Sequence, residues 1–183
     1  MILQGSKISL RAKKLSDAAN NYNWKKDAEL AHLDATQPLN ISFEDYLYYY
    51  KNELTLPFRS HVELAIETPD GKHIGNCSLY NIDERIKEAE LGIMIGNRDY
   101  WGKGYGSDAV TALLQYAFGD KDMKRVYLKT LAENIRAQRC FSKCGFVPCG
   151  FSEKNGYKFM LMDIRQEEWN KVRAKKDSNI INR

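Results

Sequence analysis

The sequence predicts an α/β (α+β) domain: a mixed, mostly antiparallel sheet of six or seven strands, flanked by helices. Three observations carry that prediction. Between residues 61 and 96, three strand-like runs follow one another across short polar turns, as antiparallel neighbours do. From residue 104 onwards helix-period and strand-period segments alternate, which brings helices onto the faces of the sheet. At 183 residues, 43% hydrophobic and 28% charged, the chain has the size and composition of one ordinary globular domain.

In chain order, "KISLRA" alternates polar and apolar side chains and reads as a strand over residues 7–12. Ser16 and Asp17 offer an N-cap for a helix through Trp24, and a second helical patch covers residues 27–33. After Pro38, "SFED" (Ser42 to Asp45) resembles a capping box with Asp in place of Glu, opening a helix to Thr55. "HVELAIET" (61–68) and "KHIGNCSLYNI" (72–82) flank the turn Pro69-Asp70-Gly71, and "EAELGIMIG" (88–96) is the fourth strand. A helix over 104–118 carries Ala109, Ala112, Leu113 and Tyr116 at core-facing spacing. "RVYLKTL" (125–131) is the fifth strand. A helix from Asn134 to Cys144 stops at Gly145, and "FVPCGFS" and "YKFMLMDI" pair as a hairpin before a short helix, "QEEWNKVR".

Charge and cysteines narrow the function classes. The net charge is +4, but residues 171–183 hold five Lys/Arg against one acid, so the rest of the chain is balanced. The division expected is a single domain over 1–170 with a frayed basic tail over 171–183, and no nucleic-acid partner. The three histidines (His32, His61, His73) lie far upstream of the Cys140 and Cys144 pair and closely spaced ligand pairs are lacking, so Cys77, Cys140, Cys144 and Cys149 read as buried, reduced thiols with no metal site. No apolar run approaches the roughly 20 residues of a membrane span. "MILQGSKISLRAKK" lacks the order of a signal peptide. A cytoplasmic protein with no membrane partner is the expectation.

The chemistry concentrates in "YWGKGYGSDA", where Gly102, Gly104 and Gly106 alternate and a helix follows at once. Glycine lets a backbone bend sharply and approach a ligand closely, and a helix N-terminus presents unpaired N–H groups to phosphate. The spacing does not match G-x-G-x-x-G of a dinucleotide fold or G-x-x-x-x-G-K-[ST] of a nucleotide-hydrolysing loop. What remains is an amide concavity suited to a pyrophosphate.

These residues resemble the GNAT superfamily of acetyl-CoA-dependent N-acetyltransferases. The loop is similar to that family's Q/R-x-x-G-x-G/A signature, with Trp101 at the Q/R position and Gly104 and Gly106 as its glycines. "NIRAQRCFSKCGF" is similar to the stretch N-x-x-A-x-x-x-Y-x-K-x-G-F, matching at Asn134, Ala137, Lys143, Gly145 and Phe146. "YWGKGYG" and the opening "ISLRAKKLSDAANNYNW" resemble the RimJ/RimL-type (ribosomal-protein-alanine N-acetyltransferase) branch in particular.

The resemblance implies a GNAT fold whose sheet splays between the fourth and fifth strands. It implies acetyl-CoA as co-substrate, with the diphosphate on the amides of Gly102, Lys103, Gly104, Tyr105, Gly106 and Ser107, and Lys103 adding charge at the rim. The end of the fourth strand, Ile93-Met94-Ile95, would bond the pantetheine arm, and an N–H there would polarise the thioester carbonyl. Asn134 would bond the arm through its amide, and Arg139 and Lys143 would meet the 3′-phosphate or solvent. Glu90, on the same strand face as Gly92 and Met94, stands where several family members place a general base, or else it is a structural carboxylate.

Phe141 departs from the pattern. Most relatives have Tyr there, thought to protonate the leaving thiolate, and phenylalanine has no proton to give. The implied activity is transfer of an acetyl group to a primary amine, by branch resemblance a protein N-terminal α-amine. The alternatives are a polyamine or other small amine, and a non-catalytic acyl-CoA-binding sensor. Trp24, Asp27, Asp34 and Glu44 are candidates for the acceptor wall, and a homodimer is a further partner the family allows.

Overall fold

The computed structural model describes residues 2–55 and 61–181, with side chains as far as Ala174. Among them, eight strands form one sheet: β1 (Ile2–Gln4), β2 (Ser9–Ala12), β3 (Val62–Glu67), β4 (His73–Asp83), β5 (Glu88–Ile95), β6 (Arg125–Leu131), β7 (Val147–Lys154) and β8 (Tyr157–Arg165). Their order across the sheet is β1-β2-β3-β4-β5-β6-β8-β7. The count exceeds the expected six or seven by β1, whose three residues pair with Ser9–Arg11 across a tight turn. Three residues are too short a run to show alternation.

Every pairing is antiparallel except β5 with β6. That parallel pair holds only at Glu88↔Arg125, Ala89↔Val126 and Glu90↔Tyr127, whereas β4 stays paired to β5 as far as Gly75↔Ile95. Beyond Glu90 the two strands part. Without β1 in the count, this is the splay expected between the fourth and fifth strands.

Helices α1 (Ala18–Lys26), α2 (Ala28–Leu33) and α3 (Phe43–Thr55) precede β3; α4 (Tyr105–Gln115) and α5 (Ile135–Lys143) flank β6; α6 (Gln166–Ile181) closes the chain. Ser42 caps α3 as expected, its Oγ accepting from Asp45 N at 3.1 Å. Asp17 does not cap α1. Its carboxylate instead takes a bidentate Arg11 guanidinium at 2.7 and 2.9 Å and the Lys14 N–H at 2.8 Å, anchoring the start of α1 to β2. On α4, Ala109, Val110, Leu113 and Leu114 are fully buried in the core beneath the sheet. The helix ends in a π-type turn over Tyr116–Asp120 rather than running regularly to 118.

Two expectations need correcting. The basic segment from Lys171 does not follow the last helix but continues it, because α6 runs to Ile181. Buried Trp169, 6.2 Å from the Phe118 ring, ties its first turns to the core. The side chains of 175–183 lie outside the described residues. Of the four cysteines only Cys77 and Cys144 are buried; Cys140 is partly exposed and Cys149 exposed, and none is paired in a disulfide.

Candidate active site

A cavity of about 470 Å³ opens where β5 leaves β6. Its walls are the end of β5 (Ile93, Met94, Ile95), the glycine segment, the cavity-side residues of α5, and the end of α2 with Asp34.

The glycines shape one wall. Gly102 and Gly104 adopt left-handed φ values of +70° and +87°, which a side chain would strain. A Cβ on Gly102 would meet nothing within 4 Å, so the loop is open there. Gly106 packs towards α5, where a Cβ would make ordinary contacts with Cys140 Sγ at 3.4 Å and Ile95 Cγ1 at 3.7 Å. Gly104 is the N-cap of α4 and contributes no side chain to the first N–H groups. Those amides are therefore available to an anion bordering the cavity. A phosphorylated ligand fits this loop.

Trp101 closes the strand end. Its Nε1–H donates to the Ile95 carbonyl at 2.6 Å, occupying one of the groups that β6 leaves behind. Over its ring lies the Arg136 guanidinium, 3.2 Å from the centroid. Burial lowers the pKa of Arg136, with Glu29 and Arg98 acting in opposite directions. A guanidinium stacked on indole and facing the cavity suits a phosphate or an adenine. The motif reading passed over Arg136 because it stands at an unspecified position after Asn134.

Of the predicted cofactor residues, the structure brings Ile93, Met94, Ile95, Trp101, Gly102, Gly104, Gly106, Ser107, Asn134, Phe141 and Lys143 to the cavity. It does not bring Lys103 or Tyr105. The Lys103 side chain is exposed, and Tyr105 packs edge-on against Tyr100 at 4.9 Å. Asn134 has a second duty, since its Oδ1 accepts from Ala137 N at 3.1 Å and caps α5. Its amide hydrogens are the groups left for a ligand. Phe141 is buried against Phe146 with the rings 5.9 Å apart. Neighbouring Cys140 also borders the cavity. The hydrogen bond with Cys144 leads the causes that push its thiol down to about 7, against burial and alongside Ser107, whose Oγ is 3.3 Å away.

Glu90 is not among the residues bordering the cavity. It is buried, and its oxygens accept from Tyr80 Oη at 2.8 Å and Asn81 Nδ2 at 2.9 Å, with Lys129 Nζ at 3.1 Å. Three donors on one carboxylate give it the partners of a group that holds others in place.

The acceptor candidates divide. Trp24 is buried beneath the strand end, where a Cβ on Gly96 would come within 2.1 Å of its ring, and it packs on His73 with the rings 4.8 Å apart. Asp27 caps α2 through Leu30 N at 3.0 Å and pairs with Arg98 at 2.8 Å. Glu44 lies exposed in the first turn of α3, away from the cavity. Asp34 does border the cavity. It is solvent-reachable, yet the protein around it is close enough for burial to raise its pKa, opposed only weakly by Lys25. No cluster of metal-ligating side chains forms among the described residues.

An amide cradle at a helix start, beside a strand edge left open by a splayed sheet, defines a site for an acylated, phosphate-bearing co-substrate. Residues 7–147 match the acetyltransferase (GNAT) domain, and the chain belongs to that family of acetyl-CoA-dependent acetyltransferases. It is 27% identical over 145 residues to the uncharacterized N-acetyltransferase p20 of Bacillus licheniformis, covering 79% of this chain and 81% of that protein. It is 24% identical over 145 residues to spermidine N(1)-acetyltransferase of Vibrio cholerae, covering 79% and 82%. The crystal structure of the Vibrio cholerae spermidine N-acetyltransferase with CoA and spermine superposes with a TM-score of 0.78 at 22% identity, over 90% of this chain and 98% of that one.

Proposed function

We propose that this acetyltransferase acts on a primary amine of a polyamine-class small molecule. The observation that carries the reading is Asp34, a carboxylate on the cavity wall whose pKa burial raises. An alkyl amine with pKa near 10.4 arrives as an ammonium ion and must lose a proton before its lone pair can attack. A carboxylate there supplies the counter-charge, and its raised pKa makes it a better base than an ordinary Asp. Behind the cavity lining, Glu90 holds the Tyr80 hydroxyl, whose pKa burial and that carboxylate raise, so Tyr80 stays neutral. The relatives named for spermidine support the same acceptor class.

When bound, acetyl-CoA supplies the activated acyl group. The amides at the start of α4 would hold its diphosphate, and Phe141, on the cavity wall, has no proton to give the leaving thiolate.

The RimJ/RimL-type likeness rests on "YWGKGYG", which lies on the donor side, and on the opening "ISLRAKKLSDAANNYNW", none of whose residues borders the cavity, so both report little about the acceptor. A thiol-release assay with spermidine, spermine and an N-terminal alanyl peptide at equal concentration decides. The polyamines are expected to turn over at least about tenfold faster in kcat/KM, roughly 1.4 kcal/mol of discrimination. Preference for the peptide would return the acceptor to a protein N-terminus, and CoA binding without turnover on any amine would leave a sensor.

A further inference from the structure

We infer that Lys7, fixed by Asp108, is a positioning residue for the donor site: it sets the direction of the Gly104 amide and brings positive charge behind the diphosphate loop. The turn between β1 and β2 presses on the first turn of α4. Asp108 Oδ1 accepts from Ser6 N at 3.0 Å and Ser6 Oγ at 2.8 Å, and its Oδ2 accepts from Lys7 N at 2.7 Å. Only a glycine at position 5 allows this approach, because a Cβ there would stand 2.3 Å from Asp108 Oδ2. With its backbone clamped, Lys7 lays its ammonium 5.7 Å over the Tyr105 ring and donates to the Lys103 carbonyl at 3.0 Å.

That carbonyl belongs to the Lys103–Gly104 peptide. In a trans peptide the C=O and N–H point to opposite sides. Gly104 and Ser107 border both the cavity and the separate groove that contains Lys7, so the loop is a thin wall between the two. A carbonyl held on the groove side turns the Gly104 N–H towards the cavity. The ammonium lies 3.7 Å from the place where a Gly104 Cβ would be, close enough for its charge to be felt through the wall. Lys103, whose charge the motif suggests for this task, points its side chain elsewhere. The N-terminal turn, outside both family motifs, thus pre-sets the anion site.

The test separates this role from a structural one. Lys7→Met keeps the stem over Tyr105 and removes the ammonium. Calorimetry should show the Kd for CoA rising about five- to tenfold, a loss within the net worth of one ordinary hydrogen bond because the ammonium acts through the loop. The melting temperature of the unliganded protein and kcat at saturating acetyl-CoA should stay at wild-type values, and Lys7→Arg should regain most of the affinity. Asp108→Asn, which loosens the turn without bordering the cavity, should shift Kd in the same direction by less. Wild-type binding of CoA is the separate check on the donor site itself. An unchanged Kd in Lys7→Met overturns the inference. So does a loss that comes with a lower melting temperature or kcat and is not restored by arginine.

Discussion

On the donor side of the cavity, from Ile93 to Lys143, the groups offered to a ligand are largely backbone: the edge of β5, the glycine amides and the start of α5. On the acceptor side the carboxylate on the cavity wall is a side chain, Asp34 at the end of the short helix α2. The contrast follows from what each side must recognise. A diphosphate and an amide-bearing arm can be held by peptide groups, which any sequence supplies once glycine and capping residues shape the chain. A cationic amine needs carboxylates at chosen points, and many sequences can place them.

The sharpest way to break the comparison is Asp34→Asn, which should lower kcat/KM for spermidine about 10²-fold, the low end for loss of a general base. The deficit should shrink as pH approaches the amine's own pKa near 10.4, where the free base forms unaided. The Kd for CoA should stay within about twofold of wild type. If CoA binding weakens as much as turnover does, Asp34 belongs to the donor side and the division fails.

The complementary change is Gly104→Val. A side chain at φ +87° strains the loop, so affinity for CoA should drop at least about tenfold, 1.4 kcal/mol or more. The Michaelis constant for the amine should stay near wild type. The loss comes from the backbone more than from obstruction, since the nearest atom to a Cβ there is Lys7 Nζ at 3.7 Å. Equal weakening of donor and acceptor binding would mean that the loop supports the whole cavity.

The same contrast explains what was legible in the sequence. Gly102 and Gly104 announced a left-handed loop, and Asn134 and Gly145 marked the two ends of α5. Such positions tolerate few residue types, so sequence and geometry correspond closely. Strands β2 to β8 were legible from alternation and turns, whereas β1 is defined only by its pairing with β2. The partners of Glu90 and Asp17 were not legible, because only the fold decides which groups meet a carboxylate: Lys129 for one, Arg11 and His73 for the other. Lys103 and Lys7 make the same point. Both are lysines near the loop in space, but only the fold shows which ammonium reaches it.

The smallest expected effect tests whether the acceptor side can be loosened alone. Beneath α1, buried His73 stands with Nδ1 3.6 Å from Asp17 Oδ1 and Nε2 3.1 Å from Asn76 Oδ1, with Asn20 and Trp24 packed against it and Arg11 bound to the same Asp17. Burial lowers the pKa of His73, only partly offset by the charge of Asp17. In the unfolded chain its imidazole takes up a proton near pH 6.5, while the folded protein resists until a lower pH. The unfolded state therefore binds more protons across that interval, and stability falls as pH drops from about 6.5 through the lowered folded value. Asp17 contributes a later loss. Burial alone would raise its pKa, but the Arg11 and Lys14 hydrogen bonds hold it below the usual carboxylate value, so its share disappears only in stronger acid. The melting temperature should decline by about 2–4 °C between pH 6.5 and 5, the shift that 1 kcal/mol produces in a domain of this size. His73→Gln, which cannot titrate, should flatten that part of the curve, and hydrogen exchange should show α1 opening before α5. If α5 opens first, or the glutamine variant declines as steeply as the wild type, the acid-sensitive region is not the ground beneath the acceptor wall, and the two sides of the site share one stability.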